Sequence, residues 1–172
     1  MKKVLLFVTI ALLSAISASA QKYAMVDMEY ILKNIPMYES ANEQIKQVSA
    51  KWQKEVEAKN EEAKTLYKNY QTESVFFSDE MRVKKENEIV AKEKEANDLK
   101  RKYFGPQGEL YKKRESLMKP IQDEIYVAIK DVSEAKGYQM VFDKASSMNI
   151  IYYSSKTDIS DEVLTKMGYS KK

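Results

Sequence analysis

Four carboxylates crowd one short stretch of this chain, Glu55, Glu57, Glu61 and Glu62. Close carboxylates hold divalent cations or exchange protons in acid–base catalysis. Here they are interleaved with Lys51, Lys54, Lys59 and Lys64, and on a helix that is ordinary charge pairing three and four residues apart. The stretch therefore reads as a solvated helix face. The chain has no cysteine and no histidine, which removes thiol nucleophiles, imidazole triads and the commonest zinc ligands. It has 4 glycines, none arranged as a phosphate-cradling G-x-x-x-x-G-K-[ST] or G-x-G-x-x-G loop. The usual apparatus of an enzyme is missing, and no metal or cofactor is implied.

Two other constellations could bind rather than react. The first is aromatic and apolar: Trp52, Tyr67, Tyr70, Phe76, Phe77, Met81, Tyr103, Phe104 and Tyr111. Each either packs along a seam between helices or stays outside and offers adaptable apolar contact. Phe76 and Phe77 are the best candidates for the second role, because a helical turn cannot bury both. The other constellation is basic: Lys100, Arg101 and Lys102, then Lys112, Lys113 and Arg114. Most such runs are solvated faces. The alternative is a local collar that attracts acidic polypeptide or anionic lipid headgroups and weakens with salt.

These residues must be positioned by what surrounds them. Residues 1–20 read as a secretory signal: Lys2 and Lys3, an apolar run from 4 to 16, and Ala18-Ser19-Ala20 before a cleavage point. Cleavage after Ala20 would start the mature chain at Gln21 and place it in the periplasm. Of 29 basic and 26 acidic residues, Lys2 and Lys3 leave with the signal. The mature chain then has 27 against 26, close to neutral, and nucleic acid is not an expected partner.

Residues 22–27 (KYAMVD) alternate as a strand does, and 28–35 form a brief helix stopped or redirected by Pro36. From 37 to about 73 apolar residues recur in threes and fours, from Ala41 and Ile45 to Leu66 and Tyr70, with Lys59 interrupting. That element would be about 50 Å long. The pattern fails over 72–78, and Ser78 followed by Asp79 and Glu80 reads as the cap of an antiparallel return helix. Its inner stripe runs Met81, Ile89, Ala96, Leu99, Tyr103, Leu110, Leu117, Ile121, Ile125, Ala128, Val132, Ala135. The sequence Gly105-Pro106-Gln107-Gly108 predicts a break in it, Pro120 a second kink, and Gly137 its end. Residues 138–143 (YQMVFD) and 148–154 (MNIIYYS) read as two strands of a hairpin, and 158–167 as a short closing helix stopped by Gly168.

The reading is α+β: a small β-rich body from 21–38 and 120–172, and a helical hairpin arm over 39–119 with its tip near 74–78. Three short strands and a sparse stripe bury too little by themselves, and open strand edges invite association. Tyr23, Met25, Val26, Met140, Val141, Phe142, Ile150, Ile151 and Tyr152 are the residues expected to build that association.

Residues 22–32 (KYAMVDMEYIL), 121–136 (IQDEIYVAIKDVSEAK), 137–144 (GYQMVFDK) and 149–167 (NIIYYSSKTDISDEVLTKM) resemble the Skp/OmpH family of periplasmic chaperones. The resemblance is specific at the two ends and compositional through the arm. It implies a homotrimer whose strands form a body from which helical hairpins project around a cavity. It also implies an ATP-independent holdase for unfolded outer-membrane β-barrel proteins. The chain departs from the family pattern in its near-neutral mature charge, the 105–108 break and Pro120. The competing reading is a structural coiled-coil adaptor of the cell envelope that docks a folded partner along the arm.

Overall fold

A computed structural model describes residues 22–146 and 150–169. The signal-peptide reading lies outside the described residues. In chain order the elements are β1 (Lys22–Val26), α1 (Met28–Lys33), α2 (Pro36–Glu73), a 3₁₀ turn (Ser74–Phe76), α3 (Asp79–Phe104), α4 (Glu109–Lys136), β2 (Tyr138–Asp143), a second 3₁₀ turn (Ser155–Thr157) and α5 (Ser160–Lys166). They fall into two compact units. One is formed by the chain up to Ile35 with Glu124–Lys172, the other by Pro36–Asp123.

The second unit is the hairpin. Pro36 opens α2 at the one position where a missing backbone N–H costs nothing. Helix α2 runs 38 residues and buries Ala41, Ile45, Val56 and Ala63. The chain turns through residues 74–78, where Ser78 Oγ accepts from the Met81 N–H at 3.3 Å and starts α3. Antiparallel packing shows in contacts that step toward the turn together. Trp52 stacks on Tyr103 with ring centroids 4.7 Å apart and planes 6° apart. Nearer the turn Lys92 approaches Glu62 at 3.9 Å, and Tyr70 donates its hydroxyl to Glu86. Lys59, which interrupts the apolar stripe, is held by Glu62 at 2.9 Å.

Of the expected inner stripe, Ile89, Ala96, Ile121, Ile125 and Ala128 are buried. Leu99, Tyr103, Leu110, Leu117 and Val132 are half-buried, whereas Met81 and Ala135 are exposed. The expected break is present. Helix α3 ends at Phe104, and α4 begins at Glu109. Glycine is required at both ends of the gap by close approach: a methyl group at 105 would stand 2.4 Å from the Arg101 carbonyl oxygen, and one at 108 would stand 2.7 Å from that of Tyr103. Pro120, in contrast, lies within an unbroken α4.

In the first unit β1 pairs in parallel with β2, from Lys22 opposite Tyr138 to Val26 opposite Asp143. The other side of β1 is taken by a bridge from Met25 to Asp158, and the Ile159 N–H donates to the Met25 carbonyl at 2.9 Å. The core holds Ala24, Met25, Val26, Ile31, Ile35, Ile125, Ala128, Ile159, Val163 and Leu164. Gly137 and Gly168 end α4 and α5 with φ of 72° and 82°, a left-handed turn that side chains with a Cβ resist.

The expected hairpin partner of β2 is not a strand. Residues 150–154 are irregular, so Ile150, Ile151 and Tyr152 belong to no sheet; Met148 lies outside the described residues. The chain does not fold back along β2 because it is drawn across to the far side of β1. Lys144, at the exit of β2, holds the Tyr153 hydroxyl at 3.3 Å and Asp158 at 2.7 Å, and Asp158 is the residue that bridges to Met25. Among the described residues the sheet has two strands instead of the three expected.

Candidate functional site

The arm aromatics divide into two sets. Trp52, Tyr70, Phe77 and Tyr103 belong to the seam. Tyr103 donates its hydroxyl to Glu55 Oε2 at 2.6 Å while its ring lies on Trp52. Phe77 leans on Tyr70 at 6.2 Å. Hydrogen bonds to Glu55 and Glu86 hold the Tyr103 and Tyr70 phenols protonated above their ordinary range.

Tyr67, Phe76, Met81 and Phe104 face outward, as does Tyr111. Phe76 is 85% exposed and its neighbour Val75 73%, so the turn presents an apolar pair to solvent. Val75, Val83 and Val90 join the candidates only through the structure, which leaves all three exposed. The sequence does carry a signal: Val83 and Val90 fall off the inner stripe of their helix, and Val75 lies where the pattern fails.

The basic residues flank the helix break. Lys100, Arg101 and Lys102 are exposed in the last turns of α3, with Lys102 Nζ 5.6 Å above the Tyr103 ring. After the break Lys112 pairs with Glu109 at 3.2 Å, Lys113 is half-buried and Arg114 exposed.

In the first unit Met25 and Val26 are core, Val141 and Ile150 half-buried, and Tyr23, Met140 and Phe142 exposed on the sheet. Tyr23 and Phe142 have ring centroids 6.3 Å apart. Beyond the sheet, Ile151 is 100% and Tyr152 85% exposed. The same unit has a polar cleft of about 310 Å³ lined by Asp27, Tyr30, Lys144, Ser155, Asp158, Ser160 and Asp161. Lys144 Nζ is 2.7 Å from Asp158 and 3.4 Å from Asp27. Ser160 donates its hydroxyl to Asp158 Oδ1 at 2.6 Å and accepts the Asp27 N–H at 2.8 Å. This is a clasp joining three distant points of the chain. One ammonium, Lys144, is shared by the two carboxylates of Asp158 and Asp27. Among the described residues no cluster could hold a metal ion, and no helix is long and apolar enough to cross a membrane.

The clasp predicts a pH dependence. Burial alone would raise Asp158, but hydrogen bonds from Lys144 and Ser160 outweigh it and hold the carboxyl below its usual value. Asp143 is likewise lowered against burial, by Ser146 and by the N–H groups of Met28 and Ala145. Lys144 is held well above the usual ammonium range, chiefly by its hydrogen bond with Asp158. Depressed carboxylates stabilise fully above their unfolded values near 4 and lose that contribution as pH falls through the folded ones. The raised ammonium stabilises fully below about 10 and loses it as pH rises through its folded value. Neutral pH therefore lies on a plateau. The urea midpoint followed by circular dichroism should fall below about pH 4. Lys144→Met should cost about 2 kcal/mol at pH 7 and flatten that acid slope. An unchanged acid slope in this variant would show that the clasp does not set it.

Fold and site together define a long-hairpin α+β protein that displays apolar side chains outward, on a helical turn and on a small sheet. Sequence comparison makes the class specific. The model of the outer membrane protein (OmpH-like) family matches residues 22–167, and the chain belongs to that family. The crystal structure of a candidate outer membrane chaperone (OmpH-like) from Caulobacter crescentus CB15 shares the fold with a TM-score of 0.65. The two are 13% identical, over 88% of this chain and 86% of that one. No curated protein matches the sequence.

Proposed function

We propose that this protein is an ATP-independent periplasmic holdase that binds unfolded outer-membrane β-barrel proteins and keeps them from aggregating before insertion. The observation that carries the reading is the outward display of Val75 and Phe76 at the hairpin turn, in a chain that belongs to the OmpH-like family. An unfolded polypeptide has no fixed shape to match. Adaptable apolar contact at the end of a helical pair suits it better than a preformed pocket would. The first unit serves as the body, and its exposed apolar side chains are covered by other copies in a homotrimer. Dilution of a urea-denatured β-barrel into the mature chain, without nucleotide, tests the reading: aggregation measured by light scattering should be suppressed at one assembly per client. No suppression at that ratio would refute it.

A further inference from the structure

Helix α3 carries another row that the hairpin leaves open, apolar except at Asn97. Val83, Val90, Asn97 and Phe104 follow one another at intervals of seven, and all four are exposed. The inner row of the same helix, Ile89, Ala96 and Tyr103, precedes it by one position, so the open row lies about 100° round the helix. A strict spacing of seven is the signature of contact with another helix, since it keeps one seam facing a partner along several turns.

The charges beside this row identify the partner. Toward the turn it is flanked by Asp79, Glu86 and Glu93, and toward the break by Lys94, Lys100 and Arg101. All six are exposed; Glu86 also accepts the Tyr70 hydroxyl. A parallel copy of the helix would set acid on acid and base on base. An antiparallel copy sets the acidic half on the basic half, brings Val83 opposite Phe104, and places Glu86 near Lys100. The face is thus complementary to itself about a two-fold axis, the requirement for an isologous contact.

We propose that this face of α3 is a self-association surface through which arms of two separate molecules pair antiparallel. The pairing is governed by charge and is therefore salt-sensitive. It is distinct from the body contacts of the proposed holdase, and it needs no client.

The chain has no cysteine, so introduced thiols report directly. Val83→Cys and Phe104→Cys variants of the mature chain are purified separately, one pool carries an affinity tag, and only disulfides between pools are scored. Mixing Val83→Cys with Phe104→Cys at low salt should give at least about tenfold more cross-linked product than mixing Val83→Cys with tagged Val83→Cys. Lys100→Glu in both pools should abolish that excess, and adding Glu86→Lys should restore it. Circular dichroism should show that these variants stay helical. Equal yields from the two mixtures, or an excess indifferent to the charge reversal, would overturn the proposal.

Discussion

Replacing Ile151 and Tyr152 together by aspartate is expected to dissociate the protein into folded monomers. Both side chains are almost wholly exposed in the isolated chain and contribute nothing to its core, so the substitutions leave the subunit's own packing intact. In an assembly the same side chains would be desolvated. Each lost apolar contact is then worth about 2 kcal/mol, and a carboxylate left in an apolar interface adds a further penalty. Two sites per subunit should weaken association by more than about a hundredfold. Light scattering on the mature chain should give about three times the monomer mass for the unaltered protein, and the monomer mass for the double variant at the same concentration. A double variant that keeps the assembled mass would show that this segment lies outside the interface, and would redirect attention to Tyr23, Met140 and Phe142.

The other large effect is expected at the hairpin turn. Val75→Ser with Phe76→Ser removes the most exposed apolar pair of the arm. Because neither side chain is packed, stability should change by less than about 0.5 kcal/mol. Client capture should suffer far more, since each buried apolar side chain is worth up to about 2–3 kcal/mol and in the proposed trimer several arms would engage one client at once. Weakening of about tenfold or more, read as the concentration needed for half-maximal suppression of aggregation, is the expected result. Phe77→Ser is the informative companion. Its ring rests on Tyr70, so it should lower the hairpin's thermal midpoint as well as its capture. Full capture by the Val75/Phe76 variant would move the binding surface away from the turn.

Local chemistry is what the sequence makes legible. Ser78 before Asp79 and Glu80, Gly137 and Gly168 each state where a helix starts or stops, because caps and left-handed turns are decided by one or two residues. The 105–108 break is legible for the same reason: proline between glycines leaves the backbone few options. What depends on a distant partner is not legible. The run of β-branched and aromatic residues in 148–154 suggests a strand, but such a run does not say whether a chain folds back along its neighbour or crosses to another strand. The parallel pairing of β1 with β2 is equally silent, as is the clasp of Asp27, Lys144 and Asp158. Met81 fits the seam by steps of three and four residues, yet it stands exposed. Val83 and Val90 escape a search for a single stripe, because a further row on the same helix then resembles noise.

The parallel sheet also sets an order of events. β1 lies at the start of the described chain and β2 more than a hundred residues later, with α2, α3 and α4 between them. Hairpin contacts are between near neighbours in sequence around the turn and can form early, whereas the sheet must await the arrival of its distant strand. A chain delivered N-terminus first would thus complete its arm while β1 is still unpaired, and would gain a finished body only when its last residues, including α5, have emerged. The body surface proposed to join it to other copies is then the last part to exist, whereas the arm face of α3 is complete before it.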